Sequence, residues 1–211
     1  MITLYQKQEK VVTEVQMQTK IINEQVIRVT TLKNPTDDDW LLCKRCALNT
    51  VGKDSYDFPT EQWKRKILKA EHSPIRTLWF AFKIEMPYWV SVHFVRHKYG
   101  VEHFVQSQRD DRTDNNIPRA EKPQGEMVSH IMYINAQELM FMARRRLCNQ
   151  ASVETRQIMK MIVDEVLETN PEFKNVLVPM CKYQKECPEF VPCYKAFMPK
   201  HVKVDEDDDM K

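Results

Sequence analysis

Only three glycines occur in 211 residues. That scarcity excludes the usual nucleotide cradle, a Gly-rich loop that grips phosphate with backbone N–H groups. Any phosphate here must be held by side chains. The chain has no run of about 18 apolar residues, so a membrane span is not expected. It has no cleavable signal pattern at its start, which predicts a soluble, cytoplasmic protein with reduced thiols. Nor is there a basic surplus: Lys and Arg number 32 against 30 Asp and Glu, a net charge of +2. Sequence-blind nucleic-acid binding relies on a broad positive field, and this chain lacks one. Neither a membrane nor a nucleic acid is an expected partner, and cations matter by placement.

Six cysteines are present. Cys43 and Cys46 have CxxC spacing, while Cys181, Cys187 and Cys193 recur at intervals of six. Thiolates so spaced can converge on zinc. Against this, the second set lacks a tight knuckle and the first lies in the apolar run WLLCKRCAL, where cysteine serves as a small buried hydrophobe. No metal site is therefore assigned from the sequence.

The length suits one domain with a small appendage. Residues 1–32 alternate β-branched and polar side chains, predicting two or three strands with one wet face. Thr36 before three aspartates starts a helix over about 37–48. A second helix is predicted from Glu61 to Ala70, and the apolar segment IRTLWFAFKIE reads as a central strand. Pro87 then opens a short helix, PYWVSVHFVRHK, whose last turn is expected to deliver His93, Arg96 and His97.

The polar segment TDNNIPRAEKPQG reads as a loop beside this basic cluster. From Glu126 the pattern reads as helical, with Asn135 and Glu138 at capping-box spacing. A further amphipathic helix runs from about Ala151 to Thr169, its methionines in the core. The acidic tail VDEDDDMK has nothing to bury and is expected to be disordered.

The densest chemistry lies in RHKYGVEHFVQSQR, residues 96–109, which reads as an anion site because guanidinium forks suit phosphate oxygens. Three arginines follow at 144–146, of which at most two can face one site, since successive helical residues diverge by about 100°.

Taken in order, these features resemble the flavin-dependent thymidylate synthases. That family carries an Arg-His-Arg triplet, seven residues, then Ser-x-Arg. Here the triplet is Arg96, His97 and Lys98, and eight residues separate it from Ser107 and Arg109. EHSPI at 71–75 looks like the family's His-x-(Ser/Thr)-Pro segment, and NAQELMFMARRRLCNQAS from Asn135 looks like its arginine-bearing helix. The likeness spans about residues 28–170.

The resemblance implies an α+β fold with a central, mostly antiparallel sheet flanked by helices. It places such a domain over residues 1–175, with a Cys-containing extension over 176–211. It also implies a homotetramer with FAD at subunit interfaces, converting dUMP to dTMP with methylenetetrahydrofolate and NADPH as co-substrates. By similarity, His72, Arg96, His97, Lys98 and Asn135 contact FAD, while Ser107, Arg109, Arg119 and Arg146 contact the nucleotide. Ser107 and Arg109 stand at the catalytic centre, Ser107 as a positioning hydroxyl. Two other readings remain open. One keeps the fold but takes another pyrimidine nucleotide or makes a hydroxymethyl product. The other is a non-catalytic protein that binds nucleotide or nucleic acid through the same cations.

Overall fold

A computed structural model describes residues 16–112 and 117–193. The strand expected within residues 1–15, the centre of the polar loop at 113–116 and the acidic tail lie outside the described residues. Five strands form one antiparallel sheet: β1 (Met17–Ile22), β2 (Gln25–Lys33), β3 (Trp79–Pro87), β4 (Val101–Val105) and β5 (Met127–Asn135), in the order β1-β2-β3-β5-β4. Helices flank it: α1 (Asp37–Asn49), α2 (Glu61–Lys69), α3 (Tyr88–Phe94), α4 (Ala136–Arg146), α5 (Val153–Thr169) and the short α6 (Met180–Gln184). The architecture is the α+β class expected from the sequence. Among the described residues no helix is long and apolar enough to cross a membrane.

Helix starts follow capping chemistry. Thr36 accepts the Asp39 amide at 3.3 Å while Asp39 accepts the Thr36 amide at 2.9 Å, a complete capping box on α1. Thr60 and Ser152 cap α2 and α5 through their hydroxyls, and Pro171 prevents α5 from continuing. The core lies between the sheet and the helices. Phe80, Phe82 and Ile84 of β3 and Met132 and Ile134 of β5 pack with Trp40, Leu68, Leu139, Ile158, Ile162 and Phe173. Cys43 is fully buried there, and burial pushes its thiol up to about 12. The Cys43–Cys46 pair thus contains an inert core thiol.

Three sequence expectations are corrected. The segment after Glu126 is a strand, because Met127–Asn135 pairs with β3 on one side and β4 on the other. Val128, His130, Met132 and Ile134 are buried on one face, but Ile131 and Tyr133 stand half-buried on the other, so apolar residues occupy both faces and periodicity does not separate strand from helix. The helix after Pro87 ends at Phe94, not Lys98, so Arg96, His97 and Lys98 sit in the turn between α3 and β4. The Asn135–Glu138 capping box is half made: Asn135 Oδ1 accepts the Glu138 amide at 3.0 Å, but the Glu138 carboxylate turns to His97 instead.

Candidate functional site

The site is built along α4, which is fixed at its N-terminus from two directions. The Ala136 amide donates to the Leu78 carbonyl, and the Asn135 amide to the Gly100 carbonyl, both at 2.8 Å. Gly100 has φ +71°, and a Cβ there would stand 2.4 Å from Asn135 Nδ2. Glycine is therefore required where the Arg96–Tyr99 turn docks against the cap of α4.

Two cavities open beside this junction. One, of about 420 Å³, is bordered by Glu71, Arg76, Tyr99, Asn135, Glu138 and Arg144. The other, of about 460 Å³, is bordered by Arg96, His97, Lys98, Arg145 and Arg146. Tyr99, Glu138 and Phe141 border both, so the two form one trough divided by aromatic side chains. The second cavity gathers four cations around one carboxylate, Glu138. Such crowding of like charge favours an anion at this surface.

His97 ties the parts together. Its ring is buried; Nδ1 lies 2.7 Å from Glu138 Oε1, and Arg146 Nε donates to Nε2 at 3.1 Å. A guanidinium can only donate, so Nε2 accepts and the ring proton sits on Nδ1, donated to Glu138. A bond to a charged acceptor contributes roughly 1.5–3 kcal/mol. His103 Nε2 donates to the His97 carbonyl at 2.9 Å, and His103 Nδ1 accepts from His130 Nε2 at 2.9 Å. That leaves His130 Nδ1 buried and, among the described residues, without a partner as a bare lone pair, which is consistent with a neutral ring. Burial, then the neighbouring His103, pushes His130 down to about 4. Burial first, then the charges of Arg96 and Arg145, also pulls the Arg146 guanidinium below its ordinary value.

The first cavity has its own ion pair, with Arg144 buried and Glu71 partly so. Arg144 donates to both Glu71 oxygens, at 2.6 and 3.3 Å, and lies 3.6 Å over the Tyr183 ring. Burial of Glu71 works against its charge, but Arg144 and the Tyr183 hydroxyl hold its carboxyl below the usual range. The remaining nitrogen, Arg144 Nε, is buried and has no partner among the described residues, in a side chain that borders the cavity. A buried guanidinium N–H with no acceptor is the kind of group a bound anion satisfies.

Of the residues chosen from the sequence, the fold brings together Arg96, His97, Lys98, Asn135 and Arg146. His72 is exposed one residue beyond Glu71, where its backbone begins the 3₁₀ turn Ser73–Thr77. Ser107, Arg109 and Arg119 border neither cavity. They sit past the far end of β4, where Ser107 Oγ accepts the Arg109 amide, Arg109 forms a bidentate pair with Asp111 at 2.9 and 2.8 Å, and Asp110 accepts the Arg119 amide.

The sequence reading missed Glu71, Arg76, Tyr99, Phe141 and Arg144 as site residues. Glu71 and Arg144 carried a faint signal: charged groups beside apolar runs need partners when buried. Glu138 had been assigned wholly to the helix cap.

No family model matches the chain, and no curated protein sequence does. Among solved structures, it is similar to the crystal structure of a UMP/dUMP methylase, PolB, from Streptomyces cacaoi, bound with 5-Br dUMP. The TM-score is 0.56 at 15% sequence identity, over 72% of this chain and 97% of that one. At this identity the likeness is one of fold.

Proposed function

We propose that this chain is a flavin-dependent enzyme that methylates the ring of a pyrimidine nucleotide, converting dUMP to dTMP. The observation that carries the reading is the trough along α4, where four cations surround one carboxylate and a buried arginine N–H finds no acceptor among the described residues. The fold shared with PolB, a UMP/dUMP methylase, supports the choice of substrate class.

The residues present fit FAD. Arg96 and Lys98 would hold its pyrophosphate, supplying with side chains what a glycine-poor chain cannot supply with amides, and Arg146, which the resemblance assigns to the nucleotide, borders the same cavity. Tyr99 and Phe141, both exposed beside these cations, offer apolar faces to flat rings. When bound, flavin supplies the redox chemistry that lets a methylene carbon from methylenetetrahydrofolate end as a methyl group, with NADPH as the source of electrons.

The chain's own residues orient and screen. Glu138 and His97 hold Arg146 in place, so its charge is positioned before any ligand arrives. Ser107, Arg109 and Arg119 are reserved for the nucleotide. Because they border neither cavity within one protomer, a neighbouring copy in a homotetramer would bring them to the trough. No protein nucleophile is needed, and Ser107 positions the ring through its hydroxyl.

A second reading, in which the substrate is another pyrimidine nucleotide or the product is hydroxymethylated, draws on the bidentate hold of Asp111 on Arg109. That pairing competes with a nucleotide for the guanidinium. The deciding assay incubates the protein with FAD, NADPH and methylenetetrahydrofolate and weighs the product from dUMP, with dCMP run beside it. A methyl gained on dUMP supports the proposal. A hydroxymethyl gain or preference for dCMP favours the second reading. Protein that stays colourless after reconstitution sinks both and leaves simple nucleotide binding.

A further inference from the structure

The cysteines outside this site form a cluster of their own. Cys148 follows α4, Cys181 lies in α6, and Cys187 and Cys193 lie in the segment after it. All four are half-buried free thiols bordering one cavity of about 250 Å³. We propose that these four thiols bind one zinc ion, as a structural site that fastens the C-terminal segment to the end of α4.

Three observations carry this. The cavity collects four of the chain's six cysteines from positions up to 45 residues apart, whereas Cys43 is sealed in the core. Four thiolates are the full complement of a closed structural zinc site. Hydrogen-bond donors already face two of the sulfurs: the Gln150 backbone N–H donates to Cys148, and Asn149 Nδ2 lies 3.7 Å from Cys193 Sγ. Donors of this kind stabilise metal-bound sulfur.

Finally, residues 185–192 contain no helix or strand, and Phe190 is fully exposed there. The segment is therefore not held by burying its own largest apolar side chain. Among the described residues no three ligand-type side chains yet stand close enough to hold an ion. Binding accordingly includes an inward movement of the Cys187–Cys193 segment, bringing each sulfur to about 2.3 Å from zinc. Over residues 185–192 this movement breaks no sheet or helix ladder, only side-chain contacts such as the bond from Gln150 Nε2 to the Val191 carbonyl.

Each thiol releases its proton as it binds, and the site then carries an excess of negative charge. Lys182, which borders the cavity, offsets part of it. The consequence reaches the trough along α4. Tyr183 lies over Arg144, and Glu189 meets Arg145 at 3.4 Å, so zinc would lock both contacts onto the arginine-bearing helix.

The test uses the full chain, purified with a reductant present. Metal analysis should find about one zinc per chain, as expected for a single closed site. Replacing zinc with cobalt(II) should give the red-region bands of a tetrahedral ion and strong sulfur-to-cobalt charge transfer. Cys181→Ser and Cys187→Ser should each weaken binding by at least about tenfold, whereas Cys46→Ser should not. Chelation should speed proteolysis at Lys182 and Lys185. The cobalt spectrum of the unaltered chain needs no variant to fold. The proposal is overturned if the reduced protein takes up neither metal, if cobalt binds without thiolate charge transfer, or if these cysteines prove to be paired as disulfides under reducing conditions.

Discussion

Gly100→Ala tests the junction on which the trough depends. Gly100 lies at φ +71°, where an L side chain is strained by roughly 1–2 kcal/mol. The new methyl would also stand 2.4 Å from Asn135 Nδ2 and 2.9 Å from its Cγ and Oδ1. Asn135 is only 6% exposed, so it has little room to swing aside, and its movement breaks the cap on the Glu138 amide. Loss of a cap costs typically about 1 kcal/mol. The substitution should therefore destabilise the fold by roughly 2–3 kcal/mol, lowering Tm by about 4–12 °C for a domain of this size.

Urea unfolding of a double-mutant cycle separates the two parts. In an Asn135→Ala background the clash is gone and the cap is already lost, so Gly100→Ala should cost only the backbone share of about 1–2 kcal/mol. A strictly additive cycle, or a single-mutant loss below about 0.5 kcal/mol, the level of an ordinary surface change, would refute the account of this turn.

Other outcomes follow from the same geometry. Arg146→Ala should weaken binding of an anionic ligand by roughly 1.5–3 kcal/mol in a titration, while Arg145→Ala, exposed and paired with Glu189, should change it far less. Arg144→Ala strips Glu71 of its partner and should cost about 3 kcal/mol of stability, the low end for broken buried pairs, because Glu71 is only partly buried. His130 binds its proton less readily in the fold than the unfolded chain does, at about 4 against 6.5. Its contribution to stability is therefore full above about pH 6.5 and fades as pH falls towards 4, by on the order of 3 kcal/mol. In His130→Gln this part of the pH dependence should flatten; an unchanged acid limb would show that other groups dominate it.

Local chemistry explains which parts of the fold were legible beforehand. Thr36 with its aspartates, Pro171 and the apolar core of β3 announced their elements because capping, ring closure and burial act within a few residues. MVSHIMYIN reads as helical because apolar side chains, Ile131 and Tyr133 among them, also occupy its half-buried face, which blurs the polar–apolar alternation of a strand. In the site, the triplet and Asn135 stood out as charged or capping groups close in sequence. Glu138 was harder to place because one carboxylate had two available partners, the Asn135 amide and His97, and only the turn at Gly100 decides between them. Glu71 and Arg144 are 73 residues apart, and Cys148 lies 33 before Cys181. Such meetings are made by the sheet order and the packing of helices, which no local pattern encodes.

The central claim is that the trough along α4 holds a flavin through side-chain cations. The most direct measurement is a fluorescence titration of the full chain with FAD, run beside Arg96→Ala and Lys98→Ala. Saturable quenching is expected for the unaltered chain, with each variant weakened by roughly 1.5–3 kcal/mol, about tenfold to a hundredfold. An unaltered chain that does not bind FAD, or variants that bind it equally well, would contradict it.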